Sequence, residues 1–187
     1  GFELATQTTE LSGVYDLVLI SVKAYHTESM ARDIYTVVHH DGLVVSLKNG
    51  LGNIETVAKI FGAERSLGAN VLVGAIIPEA GRVTVTVQAA PIIIGPLEVS
   101  DCVMLERIHY WIRAFKRANI PCAHTVRILA YLWAKMFYNA PLNALGALLQ
   151  VHYGVLCEVP ELRRIMDRLV DEAFLVAKTN GVDVLWN

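Results

Sequence analysis

Residues 15–23 read YDLVLISVK, an apolar run bounded by Asp16 and Lys23. It is too short for a helix and lacks the polar alternation of a half-exposed strand, so it reads as a parallel strand covered on both faces. Next, TESMARDIYTVVHH (27–40) sets Met30, Ile34, Val37 and Val38 at helical spacing, with Thr27 as candidate N-cap and Glu28 in the first turn. GLVVSLK (42–48) is a second buried strand, and IETVAKIF (54–61) a second helix after the turn residues NGLGN. Strand, helix, strand, helix is the pattern of an open α/β sheet.

Beyond Gly62 the character changes. SLGANVLVG (66–74), RVTVTVQ (82–88) and PIIIG (91–95) are short β-rich stretches, the alternation being clearest in the second. They are expected to add an antiparallel edge to the sheet. A helix from about Cys102 to Ala118 and a last short strand in IPCAHT (120–125) follow. From Val126 onward the pattern is helical: VRILAYLWAKMFYN (126–139), PLNALGALLQV (141–151) and PELRRIMDRLVDEAFLVAKTNG (160–181). Pro160 suits the start of the last helix and Gly181 its C′ position. The expected division is an α/β domain over residues 1–125 and the start of an all-α domain over 126–187. Residues 1–13 carry little hydrophobic pattern, while the first strand wants neighbours on both sides, so the chain reads as the middle of a larger protein.

Composition bounds the function. The chain has 187 residues, 54% of them hydrophobic, and a formal charge of −2. That balance lacks the basic footprint of a nucleic-acid binder. Cys102, Cys122 and Cys157 form no CxxC pair, no secretory leader is read ahead of them, and a cytoplasmic setting fits. The stretch from Met136 to Cys157 is uncharged but holds Asn139, Pro141, Asn143, Gln150 and His152, which favours buried core helices over a membrane span. No metal-ligand set is read.

Ligands of open α/β sheets bind outside the carboxyl ends of the strands, where Lys23 and Asn49 stand. Lys23 supplies a cation there or is simply solvated; Asn49-Gly50 presents an amide to a ligand or is only a turn. GLGNIE (50–55) has Glu55 where a dinucleotide fingerprint wants its third glycine, so it is not the main pyrophosphate loop. In the helical part, Lys135, Asn139 and Asn143 are four apart and form a shallow stripe. Pro141 is expected to kink that helix or start a new one, aiming Asn143 apart from Asn139. Lys135 either snorkels to water or, with the two amides, holds an anionic or carbonyl-bearing small molecule.

DLVLISVKAYHT, SLKNGLGNIE, PIIIGPLE and LWAKMFYNAPLNAL, in that order and spacing, resemble the ketopantoate reductases (2-dehydropantoate 2-reductases) over nearly the whole chain. The resemblance implies an NADPH-dependent reductase of 2-dehydropantoate, serving pantothenate and coenzyme A synthesis. Its fold would be a Rossmann-type α/β domain followed by an all-α C-terminal domain, with the active site in the cleft between them. It makes Lys135 the catalytic lysine, Asn139 and Asn143 the substrate-binding asparagines, and Lys23 and Asn49 the residues at the nicotinamide end. The family's later glutamate has no assigned counterpart. Where the family commonly has Asn-Pro and then a hydroxyl residue, this chain reads Asn143, Ala144 and Gly146, which leaves the exact substrate open. The expected partners are a small 2-oxo acid and, as an open question, a second copy in a homodimer. A reductase of another 2-oxo acid, or a non-catalytic interaction or regulatory module on this fold, stands as the alternative.

Overall fold

A computed structural model describes residues 4–98 and 101–184. The chain divides into two compact units, Gly1–Ile128 and Leu129–Asn187.

The first unit is built on a five-stranded mixed sheet. Its strands are β1 (Tyr15–Ile20), β2 (Val38–Ser46), β3 (Ser66–Asn70), β6 (Ile92–Pro96) and β7 (Cys122–His124), in the order β1-β2-β3-β6-β7. β1, β2 and β3 run parallel, β6 is antiparallel to β3, and β7 is parallel to β6. The expected antiparallel edge is therefore an interior strand: β6 pairs on both sides and β7 takes the edge. β1 is the outer strand at the other side, which leaves Leu19 42% exposed.

Both faces are covered at residues 43–46 of β2 and along β3, which is why LVVS reads as an unbroken apolar run, whereas β1 is buried only at Ile20 and is not covered on both faces as its sequence suggests. On one face Leu43, Val45, Leu67, Ala69 and Ile94 pack with Met104, Ile108 and Ile112 of α3 (Cys102–Arg117). Those three helix residues recur every fourth position, and Asp101 caps the helix by accepting from the Met104 N–H at 2.7 Å. On the other face Ile20 and Val44 pack with Ala31 of α1 (Thr27–Asp33) and with Val57 and Phe61 of α2 (Asn53–Phe61).

Three further sequence expectations are corrected in this unit. The helix from Thr27 stops at Asp33, and after a 3₁₀ turn at Tyr35–Val37 the chain is already in β2 by Val38. A β-branched run, Thr36 to Val38, favours the strand there. Thr27 is not an N-cap; it is the first helical residue and its side chain is buried. SLGANVLVG and RVTVTVQ do not both add to the sheet's edge, because the chain leaves the sheet after Asn70 and enters a separate two-stranded hairpin, β4 (Val73–Glu79) with β5 (Arg82–Gln88). All seven residues of β5 are exposed, so its alternation reflects strand pairing and not a buried face.

The second unit is helical, with α4 (Ile128–Leu149), α5 (Tyr153–Glu158) and α6 (Pro160–Thr179). Phe137 of α4 stacks on Phe174 of α6 with ring centroids 4.1 Å apart. Pro160 opens α6 and Gly181, at φ +69°, follows its end, as read from the sequence. Pro141 neither breaks α4 nor starts a new helix: α4 runs through it as one element. Proline's fixed φ is itself helical, so its cost is one missing hydrogen bond and crowding of the preceding turn, which a 22-residue helix absorbs. Among the described residues no helix is long and apolar enough to cross a membrane.

Candidate functional site

The parallel register Ile20↔Ser46 and Ser46↔Gly68 brings the carboxyl ends of β1, β2 and β3 to one edge of the sheet. Lys23 stands three residues beyond β1 and Asn49 three beyond β2, both exposed. The structure thus places these two candidates on adjacent loops of the edge where such sheets bind ligands. The loop carrying Asn49 turns through Gly50 (φ +86°) and Gly52 (φ +84°), conformations that side chains with a Cβ rarely take. Lys48 ties it to the neighbouring loop, its Nζ donating to the Ser21 carbonyl at 3.4 Å. Glu55 lies in the first turn of α2 behind these glycines, a carboxylate where a pyrophosphate would need open N–H groups.

Two polar groups at this edge escaped the sequence reading. Ser46 ends β2 and Asn70 ends β3, 3% and 6% exposed, and among the described residues neither Ser46 Oγ nor Asn70 Oδ1 has a hydrogen-bond partner. Since buried polar atoms are normally paired, both call for a polar ligand or water. A readable signal was the Asn in the otherwise apolar LGANVLVG.

On α4 the continuous helix keeps Lys135, Asn139 and Asn143 on one face, at successive intervals of four residues. Asn143 thus stays on the same helix as Asn139, one turn further on and past Pro141. Lys135 and Asn139 are half-buried and Asn143 is exposed. Burial holds the Lys135 ammonium below the ordinary lysine range, because desolvation disfavours the charged form. Burial likewise pushes the neighbouring Tyr138 phenol up. The Tyr153 hydroxyl donates to Asn143 Oδ1, a contact the sequence did not reveal. Gly146 makes room for it: a Cβ there would lie 3.0 Å from Cε1 of the Tyr153 ring.

Two other features lie apart from these residues. An apolar groove of about 230 Å³ is lined by Phe137, Tyr138, Pro141, Leu142, Met166 and Val170, with none of the stripe's polar groups. In the first unit, His39, His40 and Asp41 have ligand atoms within 4.8 Å of one another, a cluster the sequence reading passed over. The Arg107 guanidinium bonds to the Asp41 carbonyl beside it and disfavours a cation there.

A family model described as "Ketopantoate reductase PanE/ApbA" matches residues 2–98, and one described as "Ketopantoate reductase PanE/ApbA C terminal" matches residues 127–185. A 2-dehydropantoate 2-reductase of Aquifex aeolicus is 32% identical over 181 residues, covering 97% of this chain and 58% of that protein. The crystal structure of 2-dehydropantoate 2-reductase from Geobacter metallireducens aligns with a TM-score of 0.81 at 27% identity, covering 94% of this chain and 57% of that one. D-mandelate dehydrogenase, solved with NADH and anilino(oxo)acetate, aligns with a TM-score of 0.83 at 20% identity, over 95% of this chain and 56% of that one. The last likeness is one of fold. The chain spans just over half the length of these relatives.

Proposed function

The chain belongs to the ketopantoate reductase family, and on that premise we propose that the full-length protein reduces 2-dehydropantoate to pantoate with NADPH, in cytoplasmic pantothenate and coenzyme A synthesis. The observation that carries the reading is Lys135: a half-buried lysine with its pKa drawn down by burial, sharing a helix face with two carboxamides. We take residues 1–125 as the dinucleotide-binding part and 126–187 as part of the substrate-binding domain.

The sheet edge fits a nucleotide's polar nicotinamide end, since Lys23 and Asn49 are exposed there and Asn70 Oδ1 and Ser46 Oγ are buried with no partner among the described residues. When bound, NADPH supplies the hydride. Lys135 donates a hydrogen bond to the ketone oxygen, stabilises the charge that grows on it, and gives up a proton to form the alcohol. Asn139 and Asn143 orient the keto acid through their amides. The lowered pKa serves proton transfer, because a donor works best when its pKa approaches the working pH.

A second reading, reduction of another 2-oxo acid, rests on the departure at Asn143, Ala144 and Gly146 from the family's Asn-Pro and hydroxyl pattern; there Tyr153 occupies the carboxamide oxygen of Asn143 and leaves its NH₂ for either substrate. NADPH oxidation by the full-length protein, measured with 2-dehydropantoate and with a panel of 2-oxo acids, separates the two. Turnover of 2-dehydropantoate at the highest kcat/KM supports the first reading, and preference for another acid supports the second. No turnover of any 2-oxo acid leaves the non-catalytic module.

A further inference from the structure

Lys23 and Asn49 are useful to a ligand only if their two loops keep a fixed spacing. Each loop leads into a helix: four residues after Lys23 comes Thr27, the first residue of α1, and four after Asn49 comes Asn53, the first residue of α2. The Thr27 hydroxyl donates to Asn53 Oδ1 at 3.0 Å. That bond decides which way the carboxamide faces, and Asn53 Nδ2 donates in turn to the Asn49 carbonyl at 3.2 Å. Thr27 is 1% exposed and Asn53 8%, so neither side chain has water to satisfy it instead.

We propose that Thr27 and Asn53 are positioning residues that lock the Lys23 and Asn49 loops together to receive the nicotinamide end of the cofactor. The proposal rests on the reading of this edge as the cofactor site.

Two observations set this relay apart from ordinary buried polarity. First, it ends on a loop with unusual backbone freedom. Gly50 and Gly52 both have positive φ, and a Cβ at either would meet nothing within 4 Å, so these glycines serve conformation and not close packing. A segment with that freedom loses much entropy on ordering and needs an anchor. Second, the relay spends two buried polar side chains where apolar ones of the same shape would pack without any desolvation penalty, and what it adds is direction. With its carbonyl held, Asn49 keeps its exposed side chain for a ligand. Lys48 adds a second tie between the same two loops, to the Ser21 carbonyl.

The test uses the full-length protein and two ligands, NADPH and 2′,5′-ADP, which carries the adenosine phosphates but no nicotinamide. Thr27→Val keeps the shape and removes the donor; Asn53→Asp keeps an acceptor for Thr27 and removes the donor to Asn49; Thr27→Ser keeps the hydroxyl. Thr27→Val and Asn53→Asp are each expected to weaken NADPH about 10-fold or more, the size of one lost directed hydrogen bond. Their affinity for 2′,5′-ADP is expected to stay at the wild-type value, and Thr27→Ser is expected to restore NADPH binding. Equal weakening of both ligands would reduce the pair to structural glue. Unchanged NADPH affinity in Thr27→Val, or failure of Thr27→Ser to restore it, also overturns the proposal. Wild-type protein that binds neither ligand overturns the cofactor-site reading itself and the inference with it.

Discussion

Lys135→Ala removes the one group on the α4 stripe that can deliver a proton, since Asn139 and Asn143 are amides. General acid catalysis by a positioned side chain is worth about 10²–10⁴ in rate, so kcat should fall at least about 100-fold, or about 2.7 kcal/mol of transition-state stabilisation. The fold should survive, because Lys135 is only half-buried and α4 gains helix propensity from alanine. NADPH oxidation gives kcat and far-UV circular dichroism checks the helix. The pH profile carries a second signature. The donor must be the ammonium, so wild-type kcat should fall as pH rises through the Lys135 pKa. Burial lowers that pKa, so the fall should begin below the ordinary lysine value of about 10.4. Stability has the opposite sense: between the depressed folded pKa and the ordinary unfolded one, the unfolded chain binds more protons. Wild-type stability relative to Lys135→Ala should therefore rise with pH across that window. Near-wild-type turnover in the variant, or a basic limb that persists without Lys135, would refute the assignment.

Asn143→Ala should raise KM for the keto acid about 10-fold while changing kcat much less, as loss of a hydrogen bond to a charged ligand does; an unchanged KM counts against its role. Gly146→Ala should hold or raise thermal stability, because alanine is about 1 kcal/mol the better helix former, yet increase KM. Its Cβ would crowd the Tyr153 ring and disturb the Asn143 hydrogen bond, and combination with Tyr153→Ala should abolish the Gly146→Ala effect on KM. Gly95→Ala should lower stability by about 1–3 kcal/mol, read from denaturant unfolding, because its Cβ would fall 2.1 Å from the Thr125 carbonyl beside β7; a neutral result would mean that strand pair shifts freely.

The α/β class was legible in sequence, since short apolar runs alternating with helical stretches mark a layered sheet, and so was the family, since its stretches keep their order and spacing over the chain; the reading of both runs as covered on two faces holds for LVVS and not for DLVLIS, where Leu19 is exposed. The sequence also determined where Lys23 and Asn49 fall, because a polar residue just past a buried strand lies at the sheet's end wherever the sheet goes. Helix α6 was legible from Pro160 to Gly181, local signals with local meanings. The remainder depends on contacts between segments far apart in the chain. Whether β6 is an edge or an interior strand depends on β7, some thirty residues later, and no periodicity within PIIIG encodes that partner. The alternation of RVTVTVQ is as regular as any in the chain, yet its strand is exposed throughout, because alternation records a pleat and not what covers it. Pro141 was a candidate start of a new helix, but a φ already near the helical value lets the long helix continue through it. Thr27 looked like a cap because its neighbours in sequence are a helix start; its actual partner, Asn53, is 26 residues away, and only the packing of α1 beside α2 brings the two within hydrogen-bond reach.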